Sequence, residues 1–165
     1  PTKSANDLEV VALSSPKLGT RPAVWRPASG ESQRQRDWVG GDLYLRDEAC
    51  YLLDRAMEIY LVPVCFVTEL DNEPGAVCHY VRHSQGKKSP SDYATDWVER
   101  AGLIDYIAGQ CDRHNGNWLT HPDEPGRMVL IDNAMSFPVT ERPIRSPFVD
   151  YILSNPLSDD AVDRL

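Results

Sequence analysis

Two stretches decide the reading: "IAGQCDRHNGNWLT" (residues 107–120) and "VLIDNAMSFP" (residues 129–138). The first gathers Asp112, Arg113, His114, Asn115 and Asn117 into one run, and the second carries an isolated Asp132. Asn115-Gly116 is a strong turn dipeptide, so the run taken alone reads as a surface turn. Its flanks change that. "NWLT" and "MVLID" are the arms of a hairpin turning at Asp123 and Glu124, and the expected pairing sets Leu119 opposite Leu130 and Asn117 opposite Asp132. An amide oxygen and a carboxylate then arrive at the same open end of the ribbon. Both are hard oxygen ligands suited to Mg²⁺, which keeps several waters and takes further ligands from phosphates. Asp112, five residues before Asn117, brings a second carboxylate that can orient or accept the proton of an attacking hydroxyl.

The bulk composition is compatible with such a site. A chain of 165 residues, 41% hydrophobic and 25% charged, is long enough for one compact domain, or for two small lobes sharing a core. No run approaches the roughly 18 apolar residues of a membrane span, and the opening "PTKSANDLEV" lacks the pattern of a secretory leader. A soluble, cytoplasmic location is the expectation. The formal net charge is −8, and the basic patches "SQRQR" and "GKK" are short, so neither nucleic acid nor an anionic membrane is an expected partner. Four cysteines, Cys50, Cys65, Cys78 and Cys111, stand singly among apolar neighbours and read as reduced core thiols. His79 and His83 are four apart beside Cys78 with no second cluster to complete a metal site, which argues against zinc.

Residues 8–14 and 21–27 read as strands joined by the turn "SPKLGT", and the polar stretch 28–42 reads as an exposed loop. A helix is expected over 45–60, with Ala49, Leu52, Leu53, Ala56, Met57 and Tyr60 as its apolar face. "VPVCFVTEL" and "GAVCHYV" form a hairpin about "DNEPG". Beyond them comes a helix capped by Ser91 and ended near Gly109, with a face of Ala94, Trp97, Val98, Ala101, Ile104, Ile107 and Ala108. "PFVDYILS" and "LSDDAVDRL" read as short helices, the second capped by Ser158. The first half is thus β-rich and the second helix-rich, with a boundary near residues 84–90.

The D-x-x-x-x-N spacing from Asp112 to Asn117, followed by a strand-borne Asp, is the arrangement that kinase folds use. "DRHNGNW" with "LIDNAMSF" resembles the catalytic and metal-binding segments of the phosphatidylinositol 3- and 4-kinase superfamily. "DRHN-x-N" is similar to the 3-kinase branch. "NWL" with "IDN-x-x-x-F" is more similar to the type II 4-kinases and to small bacterial kinase-like proteins. The resemblance is best over residues 91–138. It implies an α+β, two-lobed, protein-kinase-like fold, with an N-lobe over residues 1–86 and a C-lobe over 87–165.

The resemblance also implies roles. Asp112 orients the acceptor hydroxyl, His114 approaches the γ-phosphate or is an ordinary turn histidine, and Asn117 and Asp132 hold metal. "AVWRPASGE" resembles the family's "AVFKP" strand, with Arg26 where the phosphate-binding Lys is expected and Glu48 as the helix acid that pairs with it. Arg keeps the charge and gains a bidentate fork, but it is bulkier than Lys. Lys17 is an alternative source of an ammonium, and Ser14 and Ser15 are candidate hydrogen-bond donors to phosphate beside a turn whose only glycine is Gly19. Arg113 either pairs with a carboxylate and holds the loop or is solvated, while Trp118 and Phe137 read as core.

The implied activity is phosphotransfer from ATP with Mg²⁺, or Mn²⁺, to a protein or small-molecule hydroxyl. The Arg at position 26 and the thin glycine loop keep open a nucleotide-binding regulatory pseudokinase. Transfer of AMP is a third possibility within the same fold.

Overall fold

The computed structural model describes residues 7–17, 19–82 and 89–165. The expected division after residue 86, the "GKK" patch and His83 lie outside the described residues. In the first half, β1 (Glu9–Ser15) and β2 (Gly19–Pro27) pair antiparallel, with Glu9 opposite Trp25 and Ser15 opposite Gly19. A second hairpin joins β3 (Cys65–Leu70) to β4 (Glu73–His79). Its turn is Asp71-Asn72, both with positive φ, a conformation that these short polar residues tolerate. Pairing of β2 with β4 completes one four-stranded sheet in the order β1-β2-β4-β3.

The polar stretch 28–42 is not all loop. It contains α1 (Gln33–Val39), closed by Gly40 in left-handed backbone. Only Val39 of this helix is buried, in a small cluster with Leu43 and Ala134. With a single apolar anchor the helix has no periodic face to read.

The next helix, α2 (Tyr44–Ala56), packs on β3 and β4 but stops four residues before Tyr60. Glu58 and Tyr60 adopt positive φ, and the buried Asp54 carboxylate accepts hydrogen bonds from Leu61 N (2.7 Å) and Val62 N (3.0 Å), holding the chain in its exit turn. The buried face of α2 is Arg46, Asp47, Cys50 and Asp54, whereas Leu52 and Tyr60 of the expected apolar face are exposed. Charge inside and leucine outside is tolerable because each buried carboxylate here finds backbone or guanidinium donors.

The second half holds α3 (Thr95–Ile107), a short ribbon of β5 (Trp118–Thr120) and β6 (Met128–Leu130), then α4 (Pro147–Ser154) and α5 (Asp159–Asp163). Ser91 does not cap α3. It lies in a single 3-10 turn, Pro90–Asp92, and α3 begins after Ala94. Gly109 does follow the helix end, with φ of 60°. Ile107 of the expected α3 face is exposed, while Gly102 is buried against α4. A Cβ on Gly102 would stand 2.7 Å from both Phe148 O and Ile152 Cγ2, so only glycine permits this helix crossing. Ser146 caps α4 and Ser158 caps α5 through their hydroxyls.

One hydrophobic core joins the two halves. Cys50, Ile59 and Leu61 pack with Leu103, Ile104, Met128 and Phe148, and Trp118 meets Phe148 edge-to-face at 5.0 Å. The architecture is α+β, a four-stranded sheet with five helices among the described residues. It is that of a minimal two-lobed kinase-like fold. No helix among the described residues is long and apolar enough to cross a membrane.

The cysteines need a correction. Cys50 and Cys111 are free and buried, but Cys65 and Cys78 form a disulfide. They stand directly opposite each other in the β3–β4 ladder, a proximity that sequence spacing does not reveal. Alkylation in denaturant without reductant should therefore modify two cysteines, and with reductant four. Removing the bridge with Cys65→Ser should lower stability by about 2–4 kcal/mol in chemical denaturation.

Candidate functional site

The polar run at 110–117 is organised around a buried guanidinium. Arg113 is 3% exposed, and its Nε donates to both oxygens of Asp105. Its Nη1 donates to the carbonyls of Asn117 and Ile131, each at 2.8 Å, and its Nη2 to Asp105 (2.8 Å) and to Asn133 Oδ1 (2.7 Å). All five N–H donors are used. Burial disfavours the charge, yet the Asp105 carboxylate outweighs it and holds the Arg113 pKa above its ordinary value. Of the two readings open to Arg113, pairing with a carboxylate is the one observed. Gln110 assists: its side-chain oxygen accepts from Asp112 N at 2.9 Å, and its amide donates to Ser136.

The β5–β6 register differs by one residue from the expected pairing of Asn117 with Asp132. Trp118 faces Leu130 and Thr120 faces Met128, so Asn117 stands by Ile131, whose N–H donates to Asn117 O at 3.0 Å. Asp132 is beyond the last paired residue and has φ of 55°. That left-handed step ends strand alternation, so the side-chain direction of Asp132 no longer follows the ladder. Asn117 donates its amide N–H to Asp112 O at 2.7 Å, which leaves Oδ1 as the acceptor end. Asp112 is half-buried; burial pushes its carboxyl above the ordinary range against the pull of His114, and Asp132 adds to the rise. His114 is exposed, and its Nδ1 accepts from Gly116 N, which assigns the proton of the neutral ring to Nε2.

The sheet meets this loop through Arg26. Its Nη1 donates to Asp47 Oδ2 and its Nη2 to Asp132 Oδ1, both at 2.6 Å. Asp47 Oδ1 accepts from Asn133 N at 2.9 Å, so β2, α2 and the loop after β6 share one polar knot. The helix partner of Arg26 is therefore Asp47, not Glu48. Glu48 faces the sheet edge instead, accepting from Val67 N at 3.0 Å. Helix patterning points the other way, since Glu48 shares the face of Leu52, which periodicity would bury, whereas the structure buries the face of Asp47, Cys50 and Asp54. Burial raises the Asp47 carboxyl, and Arg26 opposes that only in part. At Asp132 burial acts the same way but Arg26 prevails, holding the carboxyl below its ordinary range.

The structure does not bring Lys17 or Ser15 to this knot. Both lie in the β1–β2 turn, and Arg26 is seven strand residues beyond Gly19, about 23 Å at strand rise. Ser15 Oγ accepts from Lys17 N, and Ser14 Oγ bonds Thr20, so both hydroxyls serve the turn.

Beside the knot opens a cleft of about 320 Å³. Arg26, Asp47, Asp132 and Asn133 line one part, while Val24, Val62, Pro63, Leu119 and Ile131 supply apolar walls. The chain leaving β4 (His79, Tyr80, Val81) and the Cys65–Cys78 pair complete it. Sequence reading missed this cleft, because its walls come from both halves and no local pattern marks them. A second, open depression of about 460 Å³ lies by the polar turn, lined by His114, Asn115, Trp118, Ser89, Pro90 and Pro147.

The donor set suits Mg²⁺ held jointly with phosphate rather than in an all-protein cage. Asp132 and Asn117 could offer it one carboxylate and one amide oxygen, and no cluster of three or more His, Cys, Asp or Glu poised for a metal occurs among the described residues.

A two-lobed fold with an apolar-and-polar cleft between sheet and hairpin defines a kinase-like protein. The family model "Phosphatidylinositol 3- and 4-kinase" matches residues 72–154, about half of the chain, and the chain belongs to that family of kinase-like phosphotransferases. None of the curated proteins matches it. The matched segment runs from the β3–β4 turn to α4, and Arg26 and Asp47 lie outside it.

Because Arg113 holds Asp105, the polar turn and the hairpin end together, Arg113→Ala should cost about 3–5 kcal/mol by leaving a buried carboxylate short of its partner. Urea unfolding followed by tryptophan fluorescence measures this.

Proposed function

We propose that the chain is an ATP- and Mg²⁺-dependent phosphotransferase acting on a protein or small-molecule hydroxyl. The observation that carries this is the single cleft in which an apolar slot adjoins the Arg26–Asp47–Asp132 knot. A purine fits between apolar walls from the sheet and the hairpin, and its phosphates then extend to the guanidinium. Asp132 and Asn117 would hold Mg²⁺, which when bound would offset the charge of the phosphates.

Asp112 orients the acceptor hydroxyl, and its raised pKa makes it the better proton acceptor. His114 stands at the edge of the open depression, where the acceptor would enter. Arg26 replaces Lys as the cation for the phosphates, with Asp47 in place of Glu48 as its anchor, and Lys17 and Ser15 take no part. The net charge of −8 disfavours a phospholipid surface and nucleic acid as partners. The composition accords with a cytoplasmic location, whereas the Cys65–Cys78 bridge bears the other way, since cytosolic thiols are kept reduced.

The Arg26 tie also favours a second reading, a nucleotide-binding regulatory pseudokinase in which the guanidinium stays on Asp132. AMP transfer in the same cleft is its catalytic variant.

Thermal melting with ATP, and with ATP plus Mg²⁺, tests the main reading. Saturating ligand should raise the wild-type Tm by roughly 5–10 °C, with the metal-dependent part lost in Asp132→Ala. A melting curve indifferent to Mg²⁺ would sink it. Labelled ATP and mass spectrometry then separate phosphate from AMP transfer.

The pH dependence has a definite sign. Transfer needs ionised Asp112, whose pKa is raised, so activity should disappear as pH falls through a value above the ordinary carboxylate pKa of about 4. Asp112→Asn should remove that limb together with the activity.

A further inference from the structure

Arg26 stands where a kinase-like site is read to carry Lys, and its two carboxylate contacts are not alike. Asp47 is deeply buried, and its second oxygen is already committed to Asn133 N. Asp132 faces the cleft with its side chain 37% exposed, and among the described residues its carboxylate accepts a side-chain hydrogen bond from Arg26 alone. One arm of the guanidinium is therefore anchored and the other is exchangeable. The exchangeable arm sits on the carboxylate that would hold a metal. A divalent cation reaching Asp132 with Arg26 in place meets a like charge on the same group.

We propose that Arg26 is a resident cation that bars divalent metal from Asp132 until an anionic phosphate in the cleft draws the guanidinium away, so that metal and nucleotide enter only together. The inference rests on the nucleotide reading of the cleft and adds its regulation. A planar fork suits this exchange: Nη1 stays on Asp47 while Nη2 turns from carboxylate to phosphate, without loss of charge. Asp132 and Asn117 Oδ1 are then left for the cation. Without phosphate the tie also keeps the two halves joined, because Arg26 belongs to β2 and Asp132 to the loop after β6.

Mn²⁺ binding followed by electron paramagnetic resonance tests this without any catalytic readout. In nucleotide-free protein, Arg26→Gln should bind Mn²⁺ at least tenfold more tightly than wild type, and the added site should vanish in Arg26→Gln/Asp132→Asn. Arg26→Lys, which keeps the charge without the fork, should fall between, and it carries the test should Arg26→Gln fail to fold. In thermal melting, Mn²⁺ with ADP should stabilise wild type by more than the sum of their separate effects.

Equal nucleotide-free Mn²⁺ affinity in wild type and both Arg26 variants would overturn the proposal. So would strictly additive stabilisation of wild type by Mn²⁺ and ADP. ADP without effect on any variant, with the Asp132-dependent Mn²⁺ site still appearing in Arg26→Gln, would refute the nucleotide reading while upholding Arg26 as the bar to metal.

Discussion

A guanidinium taken out of water must be met on every side, and Arg113 is the place where this chain does so. Its five donors meet a helix carboxylate, two strand-end carbonyls and a loop amide, drawing α3, the polar turn and both ends of the β5–β6 ribbon to one point. None of those partners can move without leaving a charge or an acceptor unpaired in the interior. Asp112, Asn117 and Asp132 occupy positions next to this anchored residue or its partners, so their spacing is inherited from it. Ser146 adds its hydroxyl to Asp105 at 2.7 Å and ties the start of α4 to the same centre.

Arg26 does for the two halves what Arg113 does for the loop, but with less finality. It is 13% exposed, borders a cleft and shares one partner with solvent. Arg113 has no exchange open to it, whereas Arg26 lines an open cleft. The same functional group thus serves as a fixed tie in one place and a releasable one in the other. Burial and the number of competing acceptors make the difference.

How much was legible follows from particular residues. Asp112, Asn117 and Asp132 stand out as candidates because their spacing around a turn dipeptide and a short apolar arm is local. The Asn117–Asp132 pairing is one residue out within the ladder itself, where Leu119 faces Val129 rather than Leu130, because the connecting turn sets the register and its centre is not marked in the sequence. Asp47 was overlooked for Glu48 because α2 buries its charged face, against the usual sense of helix patterning. With one buried apolar side chain, α1 offered nothing periodic. The disulfide joins residues 13 apart, opposite each other only once the β3–β4 register is set.

By itself the sequence determined the turn at Asn115-Gly116, the β-rich and helix-rich halves, and the family to which the chain belongs. Those depend on backbone preferences and side-chain periods that act over a few residues. Only the tertiary structure decided which acid meets Arg26, where Asp132 points and what closes the cleft. The Arg26 contacts span 21 and 106 residues of chain, and a buried charge selects its partner by which donors and acceptors the packed core leaves within reach.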